Sequence, residues 1–254
     1  MPTWVLVILI ILGVGLLAVA VCQIPPQNRF IDSAGNEDLS KLRSWLDKGV
    51  DVNKPGWLGL TALSAAVKEG RLENVKLILD HGGNPNQKSM RILPLQEAID
   101  EDHLEIVKLL LEKGADPSLP GAFGVSPLEE AVMKGKIEVA EQFVKYGTDL
   151  NKLSPERDPI LHTLLYTLLG TRGDEGRAPL RQMFQFLLNH GANPNARSKE
   201  DVPLLVVAME DPPSLRILVD SGVITDISFN GIDAEPRVKE ILENYEGEST
   251  ERVP

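Results

Sequence analysis

The chain has 254 residues and a formal net charge of −11, with 26 Lys and Arg against 37 Asp and Glu. That balance, without a basic stripe or interleaved aromatics, excludes a phosphate-backbone binder, whose affinity comes from clustered cations. A single cysteine, Cys22, excludes a disulfide framework, and aromatics at 5% beside abundant Leu, Ala, Glu and Lys point to a helical chain.

From Trp4 to Cys22 every residue is apolar or glycine. At about 1.5 Å per residue the run reaches across most of a hydrocarbon core of about 30 Å. Residues 1–24 are therefore expected to be a transmembrane anchor or signal segment, and 25–28 a linker in which Pro25 and Pro26 supply a stop. A cleaved signal peptide lacks its basic n-region here, although Ala18-Val19-Ala20 resembles a cleavage site. A lipoprotein would want a small residue before Cys22, where Val21 stands. Arg29, Lys41 and Arg43 follow the run, so the charge rule leans toward a cytoplasmic head. An export-type segment makes a periplasmic head the close alternative.

The rest of the chain repeats itself. A helix-ending phrase recurs as LDKGVDVN (46–53), LDHGGNPN (79–86), LEKGADPS (111–118), VKYGTDLN (144–151) and LNHGANPN (188–195), with a weaker copy at 219–226. The glycines Gly49, Gly82, Gly114, Gly147, Gly191 and Gly222 are spaced 33, 32, 33, 44 and 31 apart, so about eleven residues are inserted before the fifth. Glycine accepts the left-handed conformation that ends a helix, and a preceding Lys or His meets the exposed carbonyls. Ahead of each ending stands a second phrase: TALSAAV (61–67), LPLQEAI (93–99), SPLEEAV (126–132), DPILHTL (158–164) and VPLLVVA (202–208). Proline second in that phrase suits the first turn of a helix. Between the two phrases lie amphipathic stretches such as LEIVKLLLEKG (104–114), apolar at three- and four-residue steps. Each unit reads as turn, short helix, turn, longer helix, glycine-ended loop.

With these phrases the chain resembles the ankyrin repeat family, whose unit of about 33 residues opens Thr-Pro-Leu-His. Thr61, Pro94, Leu95, Ser126, Pro127 and Leu128 stand in the matching places. The resemblance implies an all-α ankyrin-repeat solenoid of five to six helix pairs with turn fingers, preceded by one N-terminal hydrophobic helix. The ankyrin-repeat domain runs 29–246, with repeats about 29–55, 56–88, 89–120, 121–153, 154–197 and 198–226. A C-cap spans 227–246 and a disordered tail 247–254. The family's histidine, which knits neighbouring repeats together, is replaced by Ser64, Gln96, Glu129, Leu161 and Leu205, so the links between repeats must differ.

Ankyrin-like stacks meet partners with their turn tips and the exposed edge of the first helix. Leu58, Met90 and Phe123 share one turn position, beside Trp57, and Leu60, Ile92 and Val125 share another nearer the core. Trp57, Leu58, Met90 and Phe123, with Lys68, Glu69, Asp100, Glu101 and Lys134 as a charged rim, are the expected partner-binding residues. The insertion GTRGDEGRAP (170–179) is expected to be a mobile loop between two helices.

Catalytic chemistry finds no footing. The four histidines, His81, His103, His162 and His190, have no metal-ligand spacing, and His81 and His190 share a helix-capping position. There is no phosphate loop or nucleophile elbow, and Glu129 and Glu130 point apart on a helix. Neither enzyme activity, a cofactor nor a metal is expected. The reading is a membrane-tethered module with a monomeric head, binding a protein partner on its concave face. An immunity or inhibitor protein neutralising a toxin or lipase, and a structural or stress-protection component of a membrane complex, remain open.

Overall fold

The computed structural model describes residues 25–152, 157–222, 228–229 and 232–251. The expected membrane helix lies outside the described residues. Among those described, no helix is long and apolar enough to cross a membrane. The chain divides into two compact units, Met1–Glu101 and Asp102–Pro254.

In the first unit, α1 (Pro26–Gly35) and α2 (Leu39–Asp47) form one pair, and α3 (Ala62–Lys68) and α4 (Leu72–Asp80) the next, followed by α5 (Pro94–Asp100). The stretch 25–28 is therefore the first turn of a helix rather than a linker: Pro26 takes the first helical position, where its missing N–H costs nothing. Helices α1, α3 and α5 lie side by side, and α3 packs on α4. Ala34, Ala62, Ala66 and Ala98 are fully covered, and Phe30, Leu42, Val75 and Ile78 fill the space between helices. Small residues on the first helices let the backbones approach closely, which is how units without a private core share one.

The second unit holds α6 (Leu104–Glu112), α7 (Pro127–Met133), α8 (Ile137–Lys145), α9 (Ile160–Gly170), α10 (Asp174–Asn189), α11 (Leu204–Ala208), α12 (Pro212–Asp220) and α13 (Ala234–Glu251). Ile106, Val107, Leu110 and Leu111 of α6 are buried on one face, as their spacing predicts, and Leu104 and Leu109 are half-buried. Phe143 and Phe184 are wholly covered; truncating either to Ala would cost about 3–5 kcal/mol. Two expectations need correction. Helix α13 continues through 247–251, where the sequence leads one to expect a disordered tail. A two-residue antiparallel ladder, Ser228–Phe229 with Ile232–Asp233, interrupts the all-helical pattern.

The punctuation behaves as its chemistry requires. All six ladder glycines have positive φ, from 71° at Gly49 to 91° at Gly191. His81 Nδ1 and His190 Nδ1 lie 2.8 Å from the carbonyls of Leu77 and Phe186, capping their helices. In the loops after the first five glycines an Asp or Asn side chain accepts the N–H two residues on: Asp51 from Asn53, Asn84 from Asn86, Asp116 from Ser118, Asp149 from Asn151 and Asn193 from Asn195, at 2.8–3.0 Å.

The insertion is not a mobile loop. Helix α9 has 11 residues where α7 has 7, and α10 has 16 where α8 has 9, so the eleven extra residues lengthen two helices. Only 171–173 join them. The added turns are held from outside: Arg181 clasps the buried carboxylate of Asp211 at the start of α12. Pro179 and Leu180 lie against Gly135, where a Cβ would come within 3.3 Å of Pro179.

Candidate interaction surface

The turns before the first helices are fingers, and three of them end in the same geometry. In Trp57-Leu58-Gly59-Leu60 the N–H of Leu60 returns to the Trp57 carbonyl at 3.2 Å, with φ of 58° at Leu58 and 80° at Gly59. In Ala122-Phe123-Gly124-Val125 the bond is 3.1 Å, with φ of 55° and 74°. In Ser89-Met90-Arg91-Ile92 it is 2.9 Å, with φ of 50° and 78°. Two successive positive φ values define a type I′ turn, a place for Asn and Gly. A bulky residue there is an outlier costing about 1–2 kcal/mol. Leu58, Met90 and Phe123 occupy it and are exposed by 85%, 56% and 93%, with Trp57 beside them at 60%. An apolar side chain that is both strained and left in water carries a burden that the fold alone does not explain. Leu60, Ile92 and Val125 are half-buried, closing the turns from below.

The charged rim does not converge with these tips. Lys68 and Asp100 end their seven-residue helices, and Glu69, Glu101 and Lys134 are C-cap residues. All five are exposed. They stand a whole helix, about 10 Å, from the finger preceding them. Lys134 is held by Glu130 at 3.0 Å.

In repeats two to five the histidine position of the family's opening phrase carries four different chemistries, each buried. Ser64 donates its hydroxyl to Glu97 in the next repeat. Burial pushes the Glu97 carboxyl above its ordinary range, against the lowering effect of that hydroxyl. Gln96 accepts the N–H of Leu93 at 3.3 Å, within its own turn. Glu129 accepts the N–H of Ser126 at 2.8 Å and, through its other oxygen, Arg157 Nε of the next repeat at 2.8 Å. In the fifth repeat the residue is His162, not Leu161. Pro159 is the extended N-cap of α9, so the phrase begins one residue later than the Asp158-Pro159 pair suggests. His162 Nε2 lies 3.0 Å from the Val202 carbonyl of the next repeat. In the sixth repeat Pro203 is likewise the N-cap, of α11, so the position falls on the half-buried Val206 and not on Leu205.

A second set of links was missed in sequence. Asn53 Nδ2 donates to the Gly82 carbonyl at 2.9 Å while its Oδ1 accepts the N–H of Asn84 at 2.7 Å. Asn151 repeats the clamp on Gly191 and Asn193, both at 2.8 Å. The Asn that ends four of the five loop phrases, at 53, 86, 151 and 195, was the available signal.

Among the described residues no cluster of His, Cys, Asp and Glu suits a metal ion. The hollow lined by Ser118, Ser126, Glu129 and Arg157 amounts to about 20 Å³, the scale of one water.

Helix pairs, glycine-ended loops and I′-turn fingers define the class of ankyrin-repeat folds. Residues 30–121 match the family model described as ankyrin repeats in three copies. An ankyrin repeat domain from Acinetobacter baumannii AYE is similar at TM-score 0.66 and 21% identity, covering 76% of this chain and 97% of that one. The human ASB11 ankyrin repeat domain is similar at 0.60 and 22%, covering 84% and 96%. The ankyrin repeat domain of Bcl-3, a member of the IkappaB family, is similar at 0.71 and 19%, covering 86% and 98%. At these identities the likeness establishes the fold. No curated protein matches the chain. Ankyrin repeats are in general protein–protein interaction modules, typically without catalytic activity.

Proposed function

We propose that the chain is a membrane-tethered interaction module that docks a protein partner on its finger side. Phe123 carries the reading: 93% exposed, at φ 55°, on a finger without a charged residue from 119 to 126. An aromatic anchor in that setting is the residue type that interface centres use. Leu58, Met90 and Trp57 mark the other fingers as contacts to something outside the chain.

The tether is the apolar run from Trp4 to Cys22. Anchoring raises the effective concentration of a membrane-associated partner, so a modest interface suffices. Arg29, Lys41 and Arg43 after the run favour a cytoplasmic head, with a periplasmic head as the alternative. A reporter fused at Pro254 and active in one compartment only tests that side. The function itself is tested by purifying the full chain from detergent-solubilised membranes. One protein recovered in a fixed ratio is expected; a chain that extracts with water-soluble protein, or that brings down nothing, contradicts the reading.

A further inference from the structure

The fingers differ in charge. Residues 52–61 and 84–93, the second and third fingers, carry Lys54, Lys88 and Arg91 and no acidic residue, in a chain whose net charge is −11. The finger at 119–126 carries no charge at all. Lys54, Lys88 and Arg91 are exposed, and among the described residues their side chains have no ion pair or hydrogen bond. Trp57, Leu58 and Met90 stand among them. The two fingers are neighbours: Thr61 N–H donates to Ser89 Oγ at 3.3 Å, Gln87 Nε2 to the Asn53 carbonyl at 2.7 Å, and a Cβ on Gly59 would lie 4.0 Å from the Met90 nitrogen.

The root of the second finger is fixed to the first turn of α1. Gln27 Nε2 donates to the Lys54 carbonyl at 2.7 Å and to that of Asp51 at 3.3 Å. Gly56 lies so close to α1 that a Cβ would come within 2.6 Å of Ile31 Cδ1. Gln27 follows Cys22, the last residue of the apolar run, by five residues.

We propose that the second and third fingers rest on an anionic lipid surface, with Trp57, Leu58 and Met90 in the headgroup layer and Lys54, Lys88 and Arg91 against lipid phosphates. This rests on the reading of the apolar run as a membrane anchor, because the anchor's end then holds these fingers at the bilayer. Trp is the side chain most at home at that depth, and cations beside an anionic leaflet are attracted within a Debye length. The uncharged finger with Phe123 is left to the protein partner.

The test uses the full chain with Trp4→Phe and Trp45→Phe, so that Trp57 is the only emitter, reconstituted in vesicles. One set contains phosphatidylglycerol with phosphatidylcholine and the other phosphatidylcholine alone, each with brominated acyl chains. Flotation after an alkaline wash reads the anchor separately. The expected result is flotation in both, with Trp57 blue-shifted and quenched in the anionic vesicles, and quenching lost in K54E/K88E/R91E. Flotation with unchanged Trp57 emission overturns the inference and leaves the anchor standing. Equal quenching in both lipids, indifferent to the charge reversals, also overturns it, as does a Trp57 shift produced only by an acidic protein partner. Failure to float removes the anchor reading and the inference with it.

Discussion

Arg181 and Asp211 form a two-pronged ion pair, with Nη2 2.6 Å from Oδ1 and Nε 3.0 Å from Oδ2. Asp211 is buried and also caps α12, accepting the N–H and hydroxyl of Ser214 at 3.1 and 2.7 Å. Arg177 stands 3.7 Å away and Asp174 3.4 Å from Arg181. Arg177 of the insertion and Arg181 just after it thus tie α10 to the N-cap of α12.

Removing Arg181 strands a buried carboxylate, so Arg181→Met should destabilise the protein by about 2–3 kcal/mol in urea titration, Arg177 supplying partial compensation. Burial pushes the Asp211 carboxyl up, but Arg181 and Ser214 outweigh it, and the group lies below the ordinary carboxylate range. A depressed carboxyl contributes stability above its unfolded value of about 3.9 and loses it as pH falls through the folded value. Acid unfolding below about pH 4 should therefore flatten in Arg181→Met. An unchanged acid limb would remove Asp211 from the account.

His162 predicts loss in a different window. Its ring is fully buried, Nε2 meets the Val202 carbonyl, and Nδ1 has no partner. Burial pushes its pKa below the ordinary imidazole value, against the raising effects of the Val202 carbonyl and Asp158. A histidine held neutral leaves stability intact above the unfolded pKa of about 6.5 and erodes it as pH falls below that, by at most about 1.4 kcal/mol per pH unit. The thermal midpoint should drop between pH 6.5 and 5, and His162→Leu should abolish that slope. A slope of equal size in His162→Leu would place it elsewhere.

The asparagine clamps should each matter on their own. Asn53→Ala removes two hydrogen bonds to the loop at 82–84, and Asn151→Ala two to the loop at 191–193. Each should cost about 1–2 kcal/mol. Sharing no partner, they should add in the double variant. Denaturant midpoints of the three variants check this, and a double variant no worse than either single one would contradict it.

At Leu58 the fold and the surface ask for different residues. Asn accepts φ near 58° more readily than Leu, so Leu58→Asn should stabilise the protein by about 1 kcal/mol. Calorimetry of the two proteins measures it; a lower midpoint in the variant would mean that the exposed Leu58 side chain is used within the fold.

Much of this was legible in sequence because the repeat carries its own punctuation. The glycine ladder, Pro94 and Pro127 at helix starts and the histidine caps at 81 and 190 each act locally. Three features were not legible, for physical reasons. Gly170, Gly173, Gly176 and Pro179 read as a loop; what makes helix of them is tertiary, Arg181 on Asp211 and Leu180 beside Gly135. Pro159 imitates the second residue of the repeat phrase but takes the extended N-cap conformation, shifting the register by one and hiding His162. The fingertip strain was half visible, since Gly59 and Gly124 advertise I′ turns while Met90-Arg91 does not. The ladder at 228–233 had a signal too, in Asn230-Gly231 between β-prone residues.

Phe123→Asn tests the central claim most directly, because the substitution suits the turn and removes the anchor. The account predicts a protein at least as stable as wild type that reaches the membrane equally and no longer retains the stoichiometric partner in a detergent pull-down. Retention of that partner at undiminished affinity would contradict it.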